Sequence, residues 1–369
     1  MRGPKAYIHL DWLVENYRLV RSRVGDKRIM AVVKADGYGH GAVECARILE
    51  KEGCDFFAVF TVAEGLELRQ AGLQSDILIF SRLDSQLLHS AAENNLILNL
   101  AWPDDLDHTL NYLQKNGESP RFHLKVDTGM TRLGMPIEAL TEVINRLKQN
   151  PGIRCEGIYS HLATADEGDL TFAEFQLKQF SSVLELADSL DYQFKYVHLS
   201  NSGAVLNLDQ NPFNLVRVGM LLYGAYPSNE VPMELPIQPV MEYRAPVVTV
   251  RKVKAGTQIS YGGVYSTKSD TTIGVIQCGF ADGFPRPWYE SGHVCWRGSR
   301  YKIAGRVCMD QFMVDFKGQS PGVGEEVLLF GKGGPDELRV EEIAAAIQTT
   351  PYVIFTGIHG RTQHIFLKD

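Results

Sequence analysis

Residues 29–36 read IMAVVKAD, an apolar run of strand character that closes in a lysine and an aspartate. Seven further runs of this kind occur along the chain, separated by stretches in which apolar residues recur with the period of a helix. They are FFAVF (56–60), DILIF (76–80), LILNL (96–100), RFHLKVDT (121–128), CEGIYSHL (155–162), KYVHLSN (195–201) and NLVRVGMLLYG (214–224). Eight strands that alternate with helices over roughly 200 residues predict an α/β fold, the (β/α)8 barrel. A doubly wound open sheet has almost the same local pattern, but the runs lack the G-x-G-x-x-G turn typical of it, so the barrel is favoured.

The last third of the chain has a different pattern. The segment YPSNEVPMELPIQP (226–239) is dense in turn residues, and the chain beyond it is β-rich, with 340–347 as the one segment that reads as a helix. We therefore expect a barrel domain over residues 8–234 and a mainly antiparallel β domain over 235–369. Residues 1–7 can pack with the second domain. Near the start of the chain, Asp11 is expected to cap a helix over the residues after it.

Composition excludes several classes of protein. The 369 residues carry 37 basic and 44 acidic side chains, a formal charge of −7, which argues against a nucleic-acid binder. No apolar run is long enough for a membrane span, and the start MRGPKAYIHLDW lacks the apolar core of a signal peptide. The six cysteines show no zinc-ligand spacing and the histidines are scattered, so no metal site is expected. Reduced, mostly buried thiols in a cytoplasmic protein are the favoured interpretation.

Polar groups lie directly after most of the predicted barrel strands. Since the functional site of such a barrel lies at the carboxyl ends of its strands, these residues are the first candidates. They are Lys34; Lys125 with Asp127; Ser160 with His161; His198 through Ser202; and Arg217.

Lys34 is the most informative of these residues. It closes an apolar run, and partial burial favours the neutral amine, which is a nucleophile. A strand-end lysine that simply extends to solvent is the commoner case. The glycines at 37, 39 and 41 favour a functional role, because they let the backbone approach a ligand.

The sequence VVKADGYGHG resembles the cofactor-attachment motif of the alanine racemases. Further motifs of that family recur in order, from Ile8 nearly to the C-terminus: KVDTGMTRLGM, SHLATAD, SNSGAVL, VRVGMLLYG, ISYGGVY, GFADGF, AGRVCMDQFMVD and TPYVIF. The resemblance implies a barrel followed by a β domain. It also implies pyridoxal 5'-phosphate as cofactor and the interconversion of L-alanine and D-alanine by two bases, supplying D-alanine for peptidoglycan.

The resemblance also assigns roles to individual residues. The two bases would be Lys34 and Tyr261, the second assisted by His161 and Arg217, and Arg217 would face the pyridine nitrogen. The cofactor would be held by Lys34, Tyr38, Ser202, Arg217, Gly219, Met220 and Tyr352. The substrate carboxylate would be bound by Arg132 and the backbone of Met309, and Lys125 matches a lysine that is often carbamylated. Because Tyr261 and Met309 come from the β domain, the resemblance implies a homodimer with composite sites.

Several alternatives stay open at this point. A serine or broad-specificity racemase on the same fold is the nearest, since one methylene changes binding by only about 1–3 kcal/mol. A barrel-type pyridoxal decarboxylase or aldolase would not need Tyr261, and a non-catalytic pyridoxal-binding protein would leave the β domain unexplained. Arg217 could instead pair with a barrel carboxylate, and Tyr261 could be an ordinary turn aromatic. Phe280 departs from the family, which commonly has tyrosine there.

Overall fold

Eight parallel strands close into a barrel in the computed structural model of the chain, which describes residues 3–208 and 212–368. The predicted (β/α)8 barrel is therefore confirmed, and the open sheet is wrong. The barrel strands are β2 Arg28–Val32, β3 Phe56–Val59, β4 Asp76–Ile79, β5 Ile97–Leu100, β6 Arg121–Lys125, β7 Arg154–Tyr159, β8 Tyr196–His198 and β9 Leu215–Val218.

Helices surround the barrel, and their sequences show why. In Leu140–Gln149 the buried residues Leu140, Val143, Ile144 and Leu147 have the i, i+3, i+4, i+7 spacing of one helix face. The strands are covered on both sides, so β3 and β9 are buried along their whole length. The helices of this part are α1 Leu10–Val24, α2 Lys34–Gly39, α3 Ala42–Lys51, α4 Val62–Gln70, α5 Leu88–Glu93, α6 Pro103–Asn116, α7 Leu140–Gln149, α8 Thr171–Ser189 and α9 Ser202–Asn207.

A nine-stranded, mainly antiparallel sheet forms the second part of the fold, as expected. The elements of this part are β1 Lys5–His9, β10 Met241–Val253, β11 Gln258–Ile259, β12 Tyr265–Ser266, β13 Thr271–Ile276, β14 His293–Trp296, β15 Ser299–Ile303, β16 Phe312–Asp315, β17 Glu326–Gly333, β18 Asp336–Leu338, α10 Val340–Ala346, α11 Pro351–Gly357 and β19 Gln363–Leu367. The strand order in the sheet is β18-β17-β14-β15-β16-β13-β10-β1-β19, and β11 and β12 form a separate two-stranded sheet. Strand β1, from the start of the chain, pairs with β10 and β19.

Three local expectations were wrong. The first run ends as a strand at Val32, because a helical turn begins at Lys34. Asp11 does not cap α1, which begins at Leu10 and has His9 at its N-cap. The C-terminal region contains a second helix, α11, after the expected helix at 340–347. It begins at Pro351, and proline is tolerated at this first position because the N–H it lacks would have no partner within the helix.

The division at residues 234 and 235 stays a prediction, and its outermost residues, 1–2 and 369, lie outside the described part of the chain, as do 209–211. All six cysteines are free thiols, five of them buried. Within residues 3–208 and 212–368, no helix is long and apolar enough to cross a membrane.

Candidate active site

Lys34 lies just after β2 and begins α2, a helical turn of left-handed conformation. Ala35, Asp36, Gly37 and Tyr38 have φ values between 52° and 62°. For a residue with a Cβ this conformation costs roughly 1–2 kcal/mol. Three of the four residues carry a Cβ, so the turn persists only because surrounding contacts hold it.

On the barrel side, two carboxylates hold this turn. The backbone N–H of Ala35 donates to Oε1 of Glu64 at 2.7 Å. The N–H of Ala42 donates to Oδ1 of Asp36 at 2.8 Å, which joins the turn to the start of α3. The two contacts thus hold Ala35 and Asp36, the two residues that directly follow Lys34.

On the opposite side, the turn contacts the C-terminal part of the chain. Nε2 of His364, in β19, lies 2.8 Å from the carbonyl oxygen of Gly39. A Cβ at Gly39, where φ is 78°, would lie 2.3 Å from the carbonyl oxygen of Phe355 in α11. The backbones thus approach so closely that only glycine fits.

The surroundings of Lys34 favour its neutral amine. Burial lowers the pKa of Lys34, and the positive charges of Arg132 and Arg217 lower it further, while the charge of Glu64 acts in the opposite direction. A lysine in such surroundings is a better nucleophile and a better base at neutral pH than an exposed one.

Arg217, in β9, is 3% exposed and is held by carbonyl and imidazole groups. Its guanidinium donates to the carbonyl oxygens of Ser160, His198 and Leu199 at 2.9 to 3.1 Å. It also lies 3.1 Å from Nδ1 of His198 and 3.1 Å from Nδ1 of His161. These contacts differ from the carboxylate pairing of a structural arginine. Burial lowers the pKa of Arg217 to about 10, so the guanidinium still carries its charge near neutral pH.

These contacts fix the tautomers of a row of histidines, assigned here from the hydrogen-bond network. A guanidinium can only donate hydrogen bonds, so Nδ1 of His161 and Nδ1 of His198 must accept them from Arg217. Each neutral imidazole ring therefore carries its proton on Nε2. Nε2 of His198 then donates to Nδ1 of His123 at 2.9 Å. Burial lowers the pKa of His123 to about 3 and holds the pKa of His161 and of His198 well below the usual range. All three rings are therefore neutral.

Lys125, at the end of β6, lies in the same cluster. Its Nζ is 5.5 Å from the ring centroid of Tyr159, and the Arg217 guanidinium is 5.3 Å from that centroid. Burial and the charge of Arg132 lower the pKa of Lys125 to about 8, with a smaller opposing effect of Asp127. The loop that carries Arg132 is shaped by Asp127, whose Oδ1 accepts two backbone N–H groups at 3.0 Å.

A second group of the expected site residues lies just after β8 and β9. The N–H of Gly219 donates to Oγ of Ser202 at 3.2 Å, and Met220 is fully buried beside it. A Cβ at Gly219 would come 2.7 Å from Oη of Tyr38, so glycine leaves room for that hydroxyl. The ring centroids of Tyr38 and Tyr352 are 5.7 Å apart, and burial raises the pKa of both phenols.

Tyr261 and Met309 lie together on the β domain. The side chain of Tyr261 is 72% exposed and Met309 is 55% exposed, and Phe280 is exposed as well. Oγ of Ser260 donates to the carbonyl oxygen of Arg306 at 2.9 Å, which ties the turn of Tyr261 to the segment that leads to Met309. Within the described residues, the Tyr261 hydroxyl forms no hydrogen bond.

The structure of one chain thus brings most of the expected site residues to the barrel mouth. The charge of Arg132 lowers the pKa of Lys34, Lys125, His161 and Arg217, so these five residues form one cluster. Tyr261 and Met309 are not part of that cluster within the same chain. No group of three or more metal-ligating side chains occurs in the part of the chain that the structure describes.

Several residues of the site have no assigned role in the sequence-based interpretation. His198 and Tyr159 are stacked in the barrel interior at a centroid distance of 4.7 Å. Their positions at the ends of β8 and β7 were a usable signal. Glu64 was missed, although Thr61 and Glu64 have the T-x-x-E spacing of a capping box directly after a predicted strand.

Comparisons with known proteins agree with this architecture. Residues 8–227 match the family model described as alanine racemase, N-terminal domain, and residues 240–366 match alanine racemase, C-terminal domain. The chain is 39% identical to the alanine racemase of Desulforamulus reducens, over 98% of both chains. It is 37% identical to the alanine racemase of Carboxydothermus hydrogenoformans, over the full length of both.

Solved structures give the same result. The alanine racemase of Streptomyces coelicolor superposes with a TM-score of 0.94 at 34% identity, covering 100% of this chain and 98% of that one. The alanine racemase of Bartonella henselae, solved with covalently bound pyridoxal phosphate, has a TM-score of 0.89 at 27% identity, over the whole of both chains.

The fold, the site and these matches define the class of the protein, an amino-acid racemase built on a (β/α)8 barrel with an added β domain. Within that class, the chain belongs to the alanine racemase family.

Proposed function

We propose that this racemase interconverts L-alanine and D-alanine with pyridoxal 5'-phosphate held at Lys34, and that it supplies D-alanine for peptidoglycan. The observation that carries the proposal is the cluster of four basic residues, Lys34, Lys125, Arg132 and Arg217, at the barrel mouth. Its arginine at 217 is bonded to carbonyls and imidazoles rather than to a carboxylate. The positive charges of Arg132 and Arg217 suit an anionic cofactor and a substrate with a carboxylate.

The residues present fit pyridoxal phosphate at both ends. The hydroxyl of Ser202, and the hydroxyl of Tyr38 close to the backbone of Gly219, suit a phosphate approached by backbone and hydroxyl donors. The loops after the last two strands are a common phosphate locus in barrels of this kind. Lys34, with its lowered pKa, suits covalent attachment of the aldehyde.

The cofactor, when bound, supplies an electron sink that makes the Cα–H of an attached amino acid acidic. Lys34 is the proposed base on the D-face. It must accept a proton from Cα in one direction and return it in the other, so an amine whose pKa is lowered toward neutrality is well suited.

Tyr261 is the proposed base on the L-face. A phenol has an ordinary pKa of about 10 and needs cationic help to act near neutral pH. His161 provides the connection, because its Nδ1 accepts from Arg217 and its Nε2–H is left to donate to a phenolic oxygen. Arg217, the proposed partner of the pyridine nitrogen, keeps its own proton, so a nitrogen held by it stays unprotonated.

Arg132 and the backbone of Met309 are the proposed ligands of the substrate carboxylate, and we propose that Lys125 is carbamylated. With a pKa of about 8, Lys125 has a substantial neutral fraction. The neutral amine attacks CO2, an N–C bond forms and one proton leaves to solvent. The product carries a negative charge where the free lysine would repel Arg132 and Arg217.

We propose a homodimer with two composite sites. The face of the β domain that carries Tyr261 also exposes three large apolar side chains, Val264, Phe280 and Met309. The barrel also exposes aromatic side chains: Phe60 and Trp102 closely follow β3 and β5, and Phe172 and Phe175 lie at the start of α8. In a head-to-tail dimer, the exposed apolar side chains of one chain's β domain would cover the exposed aromatic side chains of the other chain's barrel. The two-fold symmetry of the dimer repeats this contact, so both sets are buried in both chains. The dimer also brings the partner's Tyr261 to the cluster around Lys34, which the single chain does not.

The direct test is to incubate the purified protein and pyridoxal phosphate with L-alanine, L-serine and larger L-amino acids, and to measure each D-enantiomer by chiral chromatography. We expect D-alanine to form fastest. If D-serine forms faster than D-alanine, serine is the preferred substrate and the competing serine racemase is correct. If no D-enantiomer forms from any of the amino acids, the proposal is overturned. Expression in a bacterium without alanine racemase should remove its requirement for D-alanine, which tests the role in peptidoglycan. A cytoplasmic location stays a prediction.

A further inference from the structure

We propose that Glu64 is a positioning residue for Lys34, a single carboxylate that ties the end of β3 to the first peptide of the turn after β2 and places a negative charge beside the lysine. The inference rests on the proposed function of Lys34 and adds a residue to that site.

Both oxygens of Glu64 are used, and they bind different parts of the barrel. Oε2 accepts from the backbone N–H groups of Phe60 and Thr61 at 2.8 Å each, at the carboxyl end of β3. Oε1 accepts from the N–H of Ala35 at 2.7 Å, directly after Lys34. The N–H of Glu64 in turn donates to Oγ1 of Thr61 at 3.2 Å, which completes a capping box at the start of α4.

The capping box does not account for the contact with Ala35. A capping box needs one side-chain acceptor directed at its own N-cap, and Oε2 provides it. Oε1 instead binds a residue 29 positions earlier in the chain. Ala35 is the first left-handed residue of the turn, with a φ of 52°. Its N–H belongs to the peptide that joins it to Lys34, so the contact fixes the orientation of the backbone from which the lysine side chain extends.

Glu64 also balances the charge on Lys34. Arg132 and Arg217 lower the pKa of Lys34, Lys125 lies in the same cluster, and Glu64 raises the pKa. A group that both takes and returns a proton works best when its pKa stays near the working pH. Without Glu64, burial and the charges of Arg132 and Arg217 would hold Lys34 in the neutral form.

The test is Glu64→Gln in the holoenzyme. The amide oxygen can still accept from Phe60 and Thr61, but the amide NH2 meets the N–H of Ala35 and the charge is lost. Glu67→Gln is the matched control, since Glu67 is an exposed residue of the same helix. The readout is the pH midpoint of the visible absorbance of the bound cofactor. Loss of the negative charge of Glu64 disfavours the protonated, cationic form of the nitrogen of Lys34. The pH midpoint of Glu64→Gln should therefore fall by ~0.5–1 pH unit. The midpoint of Glu67→Gln should match that of the wild type.

An unchanged midpoint in a folded Glu64→Gln protein, or a midpoint that rises, would overturn the inference. If Glu64→Gln does not fold, Glu64→Asp is used, because it keeps the charge and shortens the reach. The amide of Ala35 should then exchange with deuterium about tenfold faster than in the wild type, and unchanged exchange would contradict the proposal. A wild-type protein that forms no visible band with pyridoxal phosphate would contradict the proposed function itself, so the two failures are distinguishable.

Discussion

Nη2 of Arg217 lies 3.1 Å from Nδ1 of His161, and this contact determines which ring nitrogen carries the proton. The guanidinium has no lone pair to offer, so His161 accepts at Nδ1 and presents an N–H at Nε2. The same arginine fixes His198 in the same way. One buried cation thus sets the direction of hydrogen bonding through the barrel mouth, and His161 is left with an N–H donor at Nε2, which the proposed second base, Tyr261, would accept.

Substitution of Arg217 by lysine should lower kcat/KM in both directions of racemisation. A lysine ammonium cannot reach all the acceptors that the guanidinium holds at Ser160, His198, Leu199 and His161. Loss of even one hydrogen bond to a charged group, about 1.5–3 kcal/mol, corresponds to roughly 10–150-fold. Steady-state rates with L-alanine and with D-alanine measure the effect.

Arg251→Lys is the matched control for that experiment, because Arg251 is an exposed residue of β10, in the other domain. Its kinetics should equal those of the wild type. A folded Arg217→Lys protein with wild-type kcat/KM would show that the guanidinium network does not direct the chemistry.

Gly39→Ala should destabilise the protein far more than Gly117→Ala. Both glycines have φ of 78°, so each alanine incurs roughly 1–2 kcal/mol of left-handed strain. Only at Gly39 would the Cβ meet another atom, the carbonyl oxygen of Phe355 at 2.3 Å, whereas nothing lies within 4 Å at Gly117. Such overpacking adds about 1–3 kcal/mol. Urea unfolding of the two variants measures the difference, and equal losses of stability would mean that the turn is not held against α11.

Activity should depend on bicarbonate through Lys125. Its pKa of about 8 means that the neutral amine increases as pH rises through that value and is lost as pH falls. The carbamate should therefore form more readily at pH 9 than at pH 7, and CO2-free buffer should reduce the rate most at the lower pH. Added 13C-bicarbonate should restore the rate and give a carbamate signal by NMR.

Lys125→Arg should be insensitive to bicarbonate, while Lys252→Arg, a change at an exposed lysine of β10, should respond as the wild type does. A free amine at Lys125 in a fully active enzyme, without any carbamate signal, would exclude the modification.

The alternation of apolar runs and helical segments was enough to predict the barrel, because parallel strands buried on both faces leave a strong pattern. The left-handed turn after Lys34 could not be predicted that way. Its conformation at Ala35 and Asp36 depends on Glu64 and on Phe355, which are distant in sequence. Helix α11 was missed for a related reason, because its sequence PYVIFTG is rich in β-branched and aromatic residues, and its form depends on packing rather than on intrinsic preference.

The candidate site was partly accessible from sequence. Lys34, Lys125, His161 and Arg217 could be identified because they lie at or just after the carboxyl ends of barrel strands, where function concentrates. Their separate roles came from the family resemblance rather than from spacing. Tyr261 is different, since its side chain is largely exposed and its hydroxyl forms no hydrogen bond to the part of the chain that the structure describes. Its place in the site rests on the proposed dimer.

The most direct test of the composite two-base site is to mix two inactive variants, Lys34→Ala and Tyr261→Phe, by co-expression or joint refolding. Each variant alone should be nearly inactive. If Tyr261 of one chain acts at the site of the partner's Lys34, one of the two sites in every mixed dimer is complete. About half of the randomly assorted dimers are mixed. The activity should therefore recover to about one quarter of the wild-type rate. No recovery, although mixed dimers are shown to form, would contradict the shared site and with it the account of how the two bases reach opposite faces of the substrate.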